Sequence, residues 1–136
     1  MLVVDASAIA ELLLGRPAGD AVAEQLGEHG FDLHAPHLLD VEVLSALRRV
    51  LAAGDASPAR ATEAVTDLAD LPIERYGHYE LIPRIWELRE NFSAYGATYI
   101  ALAEAIADDG AALLTADARL ARAADAYTAV RVVLAD

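Results

Sequence analysis

The same local pattern stands near both ends of this chain: a short apolar run, then an aspartate, then a helical sequence. Leu2-Val3-Val4 precedes Asp5, and Ala112-Leu113-Leu114-Thr115 precedes Asp117. Short apolar runs rich in branched side chains read as strands buried on both faces, the kind found in parallel sheets. Helical spacing follows each acid, with Ile9, Leu12 and Leu13 after the first. In open α/β sheets the functional crevice lies outside the carboxyl ends of the strands. Asp5 and Asp117 therefore stand where such a crevice forms. Taken singly, each is equally explained as a helix N-cap.

Between these two points strands and helices alternate. Helices are expected over about Gly19–His29 (closed by Gly30), over Leu38–Leu51, and from Ser57-Pro58, with serine as N-cap and proline at N1, to Asp70. Another is expected over Tyr79–Glu90, with Pro83 in its first turn and Leu81, Ile82, Ile85, Trp86 and Leu88 on its apolar side. A helix capped by Ser93 runs to about Asp108, and a short one covers Ala118–Ala124. Strands are expected over Phe31–Ala35, stopped by Pro36, at the sheet edge over Leu71–Tyr76, and over Ala129–Leu134. The apolar positions of Leu38–Leu51 cover more than one face, which predicts a central helix. The alternation predicts an α/β fold: one domain over residues 1–136, with a parallel sheet covered by helices on both faces and joined by right-handed crossovers.

Composition narrows the chemistry. The net charge is −12, against the usual footprint of a nucleic-acid binder. All ten basic residues are arginine, so no lysine exists for a Walker A loop, a phosphoreceiver site or a Schiff base. Cysteine is absent, which excludes disulfides and thiolate metal sites. No apolar run reaches the ~18 residues of a membrane span, and no basic segment precedes a hydrophobic stretch. A cytoplasmic protein without membrane association is expected.

Glu42, in the first turns of its helix, can point into the crevice of Asp5 and Asp117. Three converging carboxylates repel one another, and hard divalent cations such as Mg²⁺ or Mn²⁺ resolve that repulsion. Alone, Glu42 reads as a solvated helix residue. Asp40, Glu104, Asp108 and Asp109 are weaker candidates, and Glu104 is expected to pair with an arginine. Arg48 and Arg49 read as a solvated helix end. His29, His34, His37 and His78 lack ligand spacing. Tyr95, Tyr99 and Trp86 read as core or interface residues rather than base-stacking platforms. A small phosphatase is a poor fit, because Asp5-Ala6-Ser7 lacks a second aspartate.

With these residues placed, the chain resembles the PIN-domain ribonuclease toxins of the VapC type from Leu2 to about Val133. Val4-Asp5-Ala6-Ser7-Ala8 is similar to the family's Asp-Thr-Ser-Ala start, with Ala6 replacing threonine. Pro36-His37-Leu38-Leu39, Glu42 and Ala46-Leu47-Arg48-Arg49 are similar to the segment carrying the family glutamate. Ala94-Tyr95-Gly96-Ala97, Tyr99 and Ala101-Leu102-Ala103-Glu104 resemble Tyr-Asp-Ala followed by Ala-Leu-Ala-Glu. Leu113–Asp117 with Arg119-Leu120 resembles the last motif. The resemblance implies a PIN-like three-layer sandwich with a four- to five-stranded parallel sheet. It implies a Mg²⁺- or Mn²⁺-dependent endoribonuclease that cuts structured RNA of the tRNA or rRNA class. Asp5, Glu42 and Asp117 would be the acidic, metal-holding residues, supported by Ser7, Ser93 and Thr115. It also implies a homodimer, in keeping with the high apolar fraction, 56%, and neutralisation by a VapB-like antitoxin that covers the acidic pocket.

Gly96 departs from the family, which carries an acid there. Glycine at about N3 behind Ser93 costs about 0.5–1 kcal/mol relative to alanine, and an aspartate would gain from the helix dipole. Reduced catalytic power is therefore expected, its origin either a naturally degenerate toxin or, the favoured reading, an introduced inactivating change. A non-catalytic PIN-like module for binding antitoxin or RNA is the alternative.

Overall fold

The computed structural model describes residues 1–136. Five parallel strands form one sheet: β1 (Leu2–Val4), β2 (Leu33–Pro36), β3 (Ile73–Tyr76), β4 (Ala112–Thr115) and β5 (Val132–Leu134). Their spatial order is β3-β2-β1-β4-β5. The chain winds outward in one direction through β2 and β3, then returns to the other side of β1. The order thus reverses between β1 and β4, in register from Leu2↔Ala112 to Val4↔Leu114. Leu2, Val3, Val4, Leu113 and Leu114 are fully buried, because helices cover both faces.

Four helices lie in the crossovers on the β2–β3 side: α1 (Ala6–Leu13), α2 (Gly19–Glu28), α3 (Leu38–Ala52) and α4 (Pro58–Asp70). Three lie in the others: α5 (Ile82–Glu87), α6 (Ala94–Ala105) and α7 (Ala118–Tyr127). Right-handed crossovers put these two groups on opposite faces, giving three layers. Gly19 permits the tight α1–α2 packing, since a Cβ there would lie 2.8 Å from the Glu11 carbonyl oxygen. No helix is long and apolar enough to cross a membrane.

Several elements differ from expectation. α6, not α3, is the helix buried all round: every residue from Ala97 to Ala103 is buried. Its alanines and Thr98 let it lie close to β1, β2 and β4. α3 buries only Leu39, Val43 and Leu47, while Val41, Leu44 and Leu51 remain exposed. The second strand starts at Leu33 and includes Pro36. Phe31 is left in a turn with φ 55°. The expected Tyr79–Glu90 helix divides into a 3-10 turn, Tyr79–Leu81, and the six-residue α5. Trp86 is exposed and stacks under the Arg89 guanidinium, 4.6 Å from the ring centre. α7 runs three residues further than expected, and β5 is correspondingly shorter.

Candidate active site

The two strand-acid-helix patterns meet at the point where the strand order reverses. Asp5 follows β1 and Asp117 follows β4, side by side at the carboxyl edge of the sheet. Asp5 is 7% exposed and does not cap α1 with its side chain. Its Oδ2 instead accepts two hydroxyls, Ser7 Oγ and Thr115 Oγ1, each at 2.7 Å. Those hydroxyls are themselves held: Ser7 Oγ accepts from the Ala116 amide at 2.9 Å, and Thr115 Oγ1 from the Asp117 amide at 3.0 Å. Burial pushes the Asp5 carboxyl above its ordinary range, partly offset by the two hydroxyls.

Asp117 is the N-cap of α7. Its Oδ1 accepts from the Arg119 and Leu120 amides at 2.9 and 3.3 Å. The capping role and a place in the crevice are therefore compatible. Glu42 enters from α3, half-buried, and its Oε1 accepts the Tyr99 hydroxyl at 2.7 Å. Burial raises its carboxyl as well, with the charge of Asp5 adding to the shift and Arg49 opposing it.

These three acids line one cleft of about 250 Å³, together with Ser93, Tyr95, Gly96 and Tyr99. Ser93 caps α6 by accepting the Gly96 amide at 3.1 Å, so the first turn of α6 faces the cleft. Gly96 stands at N3 with an ordinary negative φ, and the backbone does not require glycine there. A Cβ would lie 3.1 Å from Leu120 Cδ1, the movable end of a side chain.

Each of the three acids has one oxygen tied by the bonds above, and none of their second oxygens accepts a side-chain hydrogen bond. That donor set, all hard oxygen, suits a divalent cation of the Mg²⁺ or Mn²⁺ type. As arranged, no three His, Asp or Glu side chains stand close enough to hold one ion. The three acids come from separate elements, the end of β1 and the starts of α3 and α7, and the side of the cleft at Gly96 contributes no anion.

Four further polar residues line the cleft that sequence alone does not single out for the site: Asn91, Tyr95, Tyr99 and Arg119. Tyr95 is exposed rather than in the core. Arg119 is the cleft's basic side chain and makes no ion pair. The weaker acidic candidates are engaged elsewhere. Asp40 holds Arg75 in a two-pronged bond at 2.6 and 2.8 Å. Glu104 pairs with Arg84 at 2.8 Å, as expected. Asp108 and Asp109 lie outside the cleft. His34 is buried between Tyr76 Oη and Asp32 Oδ1, both at 2.7 Å.

The PIN domain family matches residues 2–126. Over 135 residues the chain is 42% identical to Ribonuclease VapC9 of Mycobacterium tuberculosis, covering 98% of each. It is 38% identical to Ribonuclease VapC12 of the same species over 122 residues, covering 90% of this chain and 91% of that protein. The crystal structure of PAE2754 from Pyrobaculum aerophilum shares the fold, with a TM-score of 0.70 at 23% identity over 96% of this chain and 81% of that one. The chain belongs to the PIN domain family, among its VapC-type toxins.

Proposed function

We propose that this VapC-type PIN-domain endoribonuclease toxin is metal-dependent and cuts structured RNA of the tRNA or rRNA class, with turnover reduced by Gly96. The observation that carries the reading is the convergence of Asp5, Glu42 and Asp117 on one cleft, each with one oxygen free of side-chain hydrogen bonds, in a chain 42% identical to a named ribonuclease.

Asp5, Glu42 and Asp117 would hold the cation. When bound, Mg²⁺ or Mn²⁺ supplies a polarised phosphoryl oxygen and a more acidic water. The protein's own groups do the rest. Ser7 and Thr115 fix the orientation of Asp5. Ser93 fixes the start of α6 against the cleft. Arg119 offers a guanidinium fork to a phosphate, in a protein whose net charge of −12 otherwise repels RNA. Phosphate-ester cleavage depends on placing these groups within a fraction of an ångström, so a missing anion at position 96 lowers turnover more than it lowers RNA binding.

A homodimer and a VapB-like antitoxin complete the proposal. An arginine-bearing antitoxin segment complements the acidic cleft. The test is incubation of the purified chain and Gly96→Asp with total RNA and Mn²⁺, with and without EDTA. EDTA-sensitive cleavage by the aspartate form supports the reading. A folded aspartate form as inert as the glycine form favours a binding module instead.

A further inference from the structure

Tyr99 lies in the middle of α6, 1% exposed, yet its hydroxyl reaches the acidic cleft. A buried phenol needs a partner for its O–H. Here the partner comes from another helix: Tyr99 donates to Glu42 Oε1 at 2.7 Å. A phenol hydroxyl carries its proton at neutral pH, so Tyr99 is the donor and the carboxylate the acceptor. The ring is part of the buried hydrophobic core.

Glu42 is held very differently. It projects from α3 beside the exposed Val41, and it is half-buried. Its carboxylate accepts one hydrogen bond in the structure, the one from Tyr99. A glutamate side chain has much rotamer freedom, and a short O–H···O⁻ bond selects one arrangement. Asp5 has two hydroxyls on one oxygen, so losing either leaves the other. Glu42 has no such reserve.

We infer that Tyr99 is the positioning residue of Glu42: its hydroxyl pins Oε1 and thereby fixes how the Glu42 carboxylate stands in the cleft it shares with Asp5 and Asp117. The inference rests on the metal-dependent reading above. Hydrogen-bond partners one layer behind a metal ligand change affinity by about 10- to 100-fold when removed. Tyr99→Phe keeps the ring and its packing and deletes only the donor.

The test is calorimetric titration of Mn²⁺ into the metal-free chain, Tyr99→Phe, and a form with para-aminophenylalanine at position 99, whose N–H can donate to Glu42. Melting of each in EDTA is measured alongside. The expected result is Mn²⁺ binding weakened about tenfold or more in Tyr99→Phe, recovered with the amino analogue, while all three melt cooperatively in EDTA. Equal affinity in all three overturns the role of Tyr99 and leaves the metal reading intact. Equal weakening in both variants overturns it too, because restoring the donor then restores nothing. A Tyr99→Phe chain that fails to fold makes Tyr99 a structural support and likewise overturns it. Absence of Mn²⁺ binding by the unsubstituted chain instead overturns the metal reading itself.

Discussion

Thr115 Oγ1 donates to Asp5 Oδ2 at 2.7 Å across two neighbouring strands, while accepting the Asp117 amide at 3.0 Å. One hydroxyl therefore couples the acids of β1 and β4. Thr115 is fully buried, so Thr115→Val, nearly the same shape, leaves two polar groups short of a partner. Loss of about 2 kcal/mol of stability is expected, read by denaturant unfolding. Weaker Mn²⁺ binding should accompany it, and a variant as stable as the original would show that Ser7 alone suffices.

Asp5 sets a pH dependence whose sign follows from burial. Its carboxyl is raised above the ordinary 3.8, so the folded chain holds this proton more firmly than the unfolded chain does. Stability from this group is therefore present below about pH 3.8 and is lost as pH rises through the folded value. Glu42, raised from 4.5, acts with the same sign. In EDTA at pH 7, Asp5→Asn should melt at or above the original, with the gap closing as pH approaches 4. Added Mn²⁺ should reverse the order, because it stabilises only a chain that binds it. Melting curves across pH with and without Mn²⁺ check both statements.

Gly96→Asp should gain activity without losing the fold. Replacing a helical glycine returns about 0.5–1 kcal/mol. An acid in the first turn adds about 0.3–1 kcal/mol through the helix dipole. Displacing Leu120 Cδ1 from its 3.1 Å approach offsets part of that. Melting within a few degrees of the original, tighter Mn²⁺ binding and EDTA-sensitive RNA cleavage are the expected outcomes. Unchanged metal affinity in the folded variant would count against position 96 as part of the site.

Ser93→Ala should cost about 1 kcal/mol by uncapping α6. Because that cap orients the helix turn facing the cleft, Mn²⁺ affinity should fall as well. Ser57→Ala removes the cap of α4 through its bond to the Arg60 amide, away from the cleft. It should cost a similar amount of stability and leave Mn²⁺ binding unchanged. Parallel unfolding and calorimetry of the two variants separate capping from site geometry.

The exposed Val41, Leu44, Ile82 and Trp86 on α3 and α5 leave apolar surface uncovered in one 14.4 kDa chain. A dimer is expected. Light scattering at micromolar concentration should give twice the chain mass, and a monomer mass would count against the expectation.

Local sequence determined a good deal of this protein. Buried runs before Asp5 and Asp117, the caps Ser57 and Ser93, and Pro58 at N1 were legible because each depends on neighbours within about one helical turn or on strand alternation. The same logic placed Asp117 as a cap and Asp5 at a sheet edge. Tertiary structure decided what no local spacing encodes. The apolar content of α3 predicted a central helix, but the sheet left room for all-round burial only where the small residues of α6 lie against it. In the Tyr79–Glu90 segment Ile82 and Trp86 stay exposed and only Leu88 is buried, so the apolar side that the spacing predicts is not the side the core receives. The bonds that orient the acids join residues far apart in the chain, Thr115 to Asp5 and Tyr99 to Glu42. They exist because parallel pairing of β1 with β4, and packing of α6 on β2, the strand that leads into α3, bring those side chains within 3 Å. For Glu42 that packing alone decides which oxygen is held; for Asp5 it adds Thr115 to the nearby Ser7, while Asp117 is held by the amides of its own helix start.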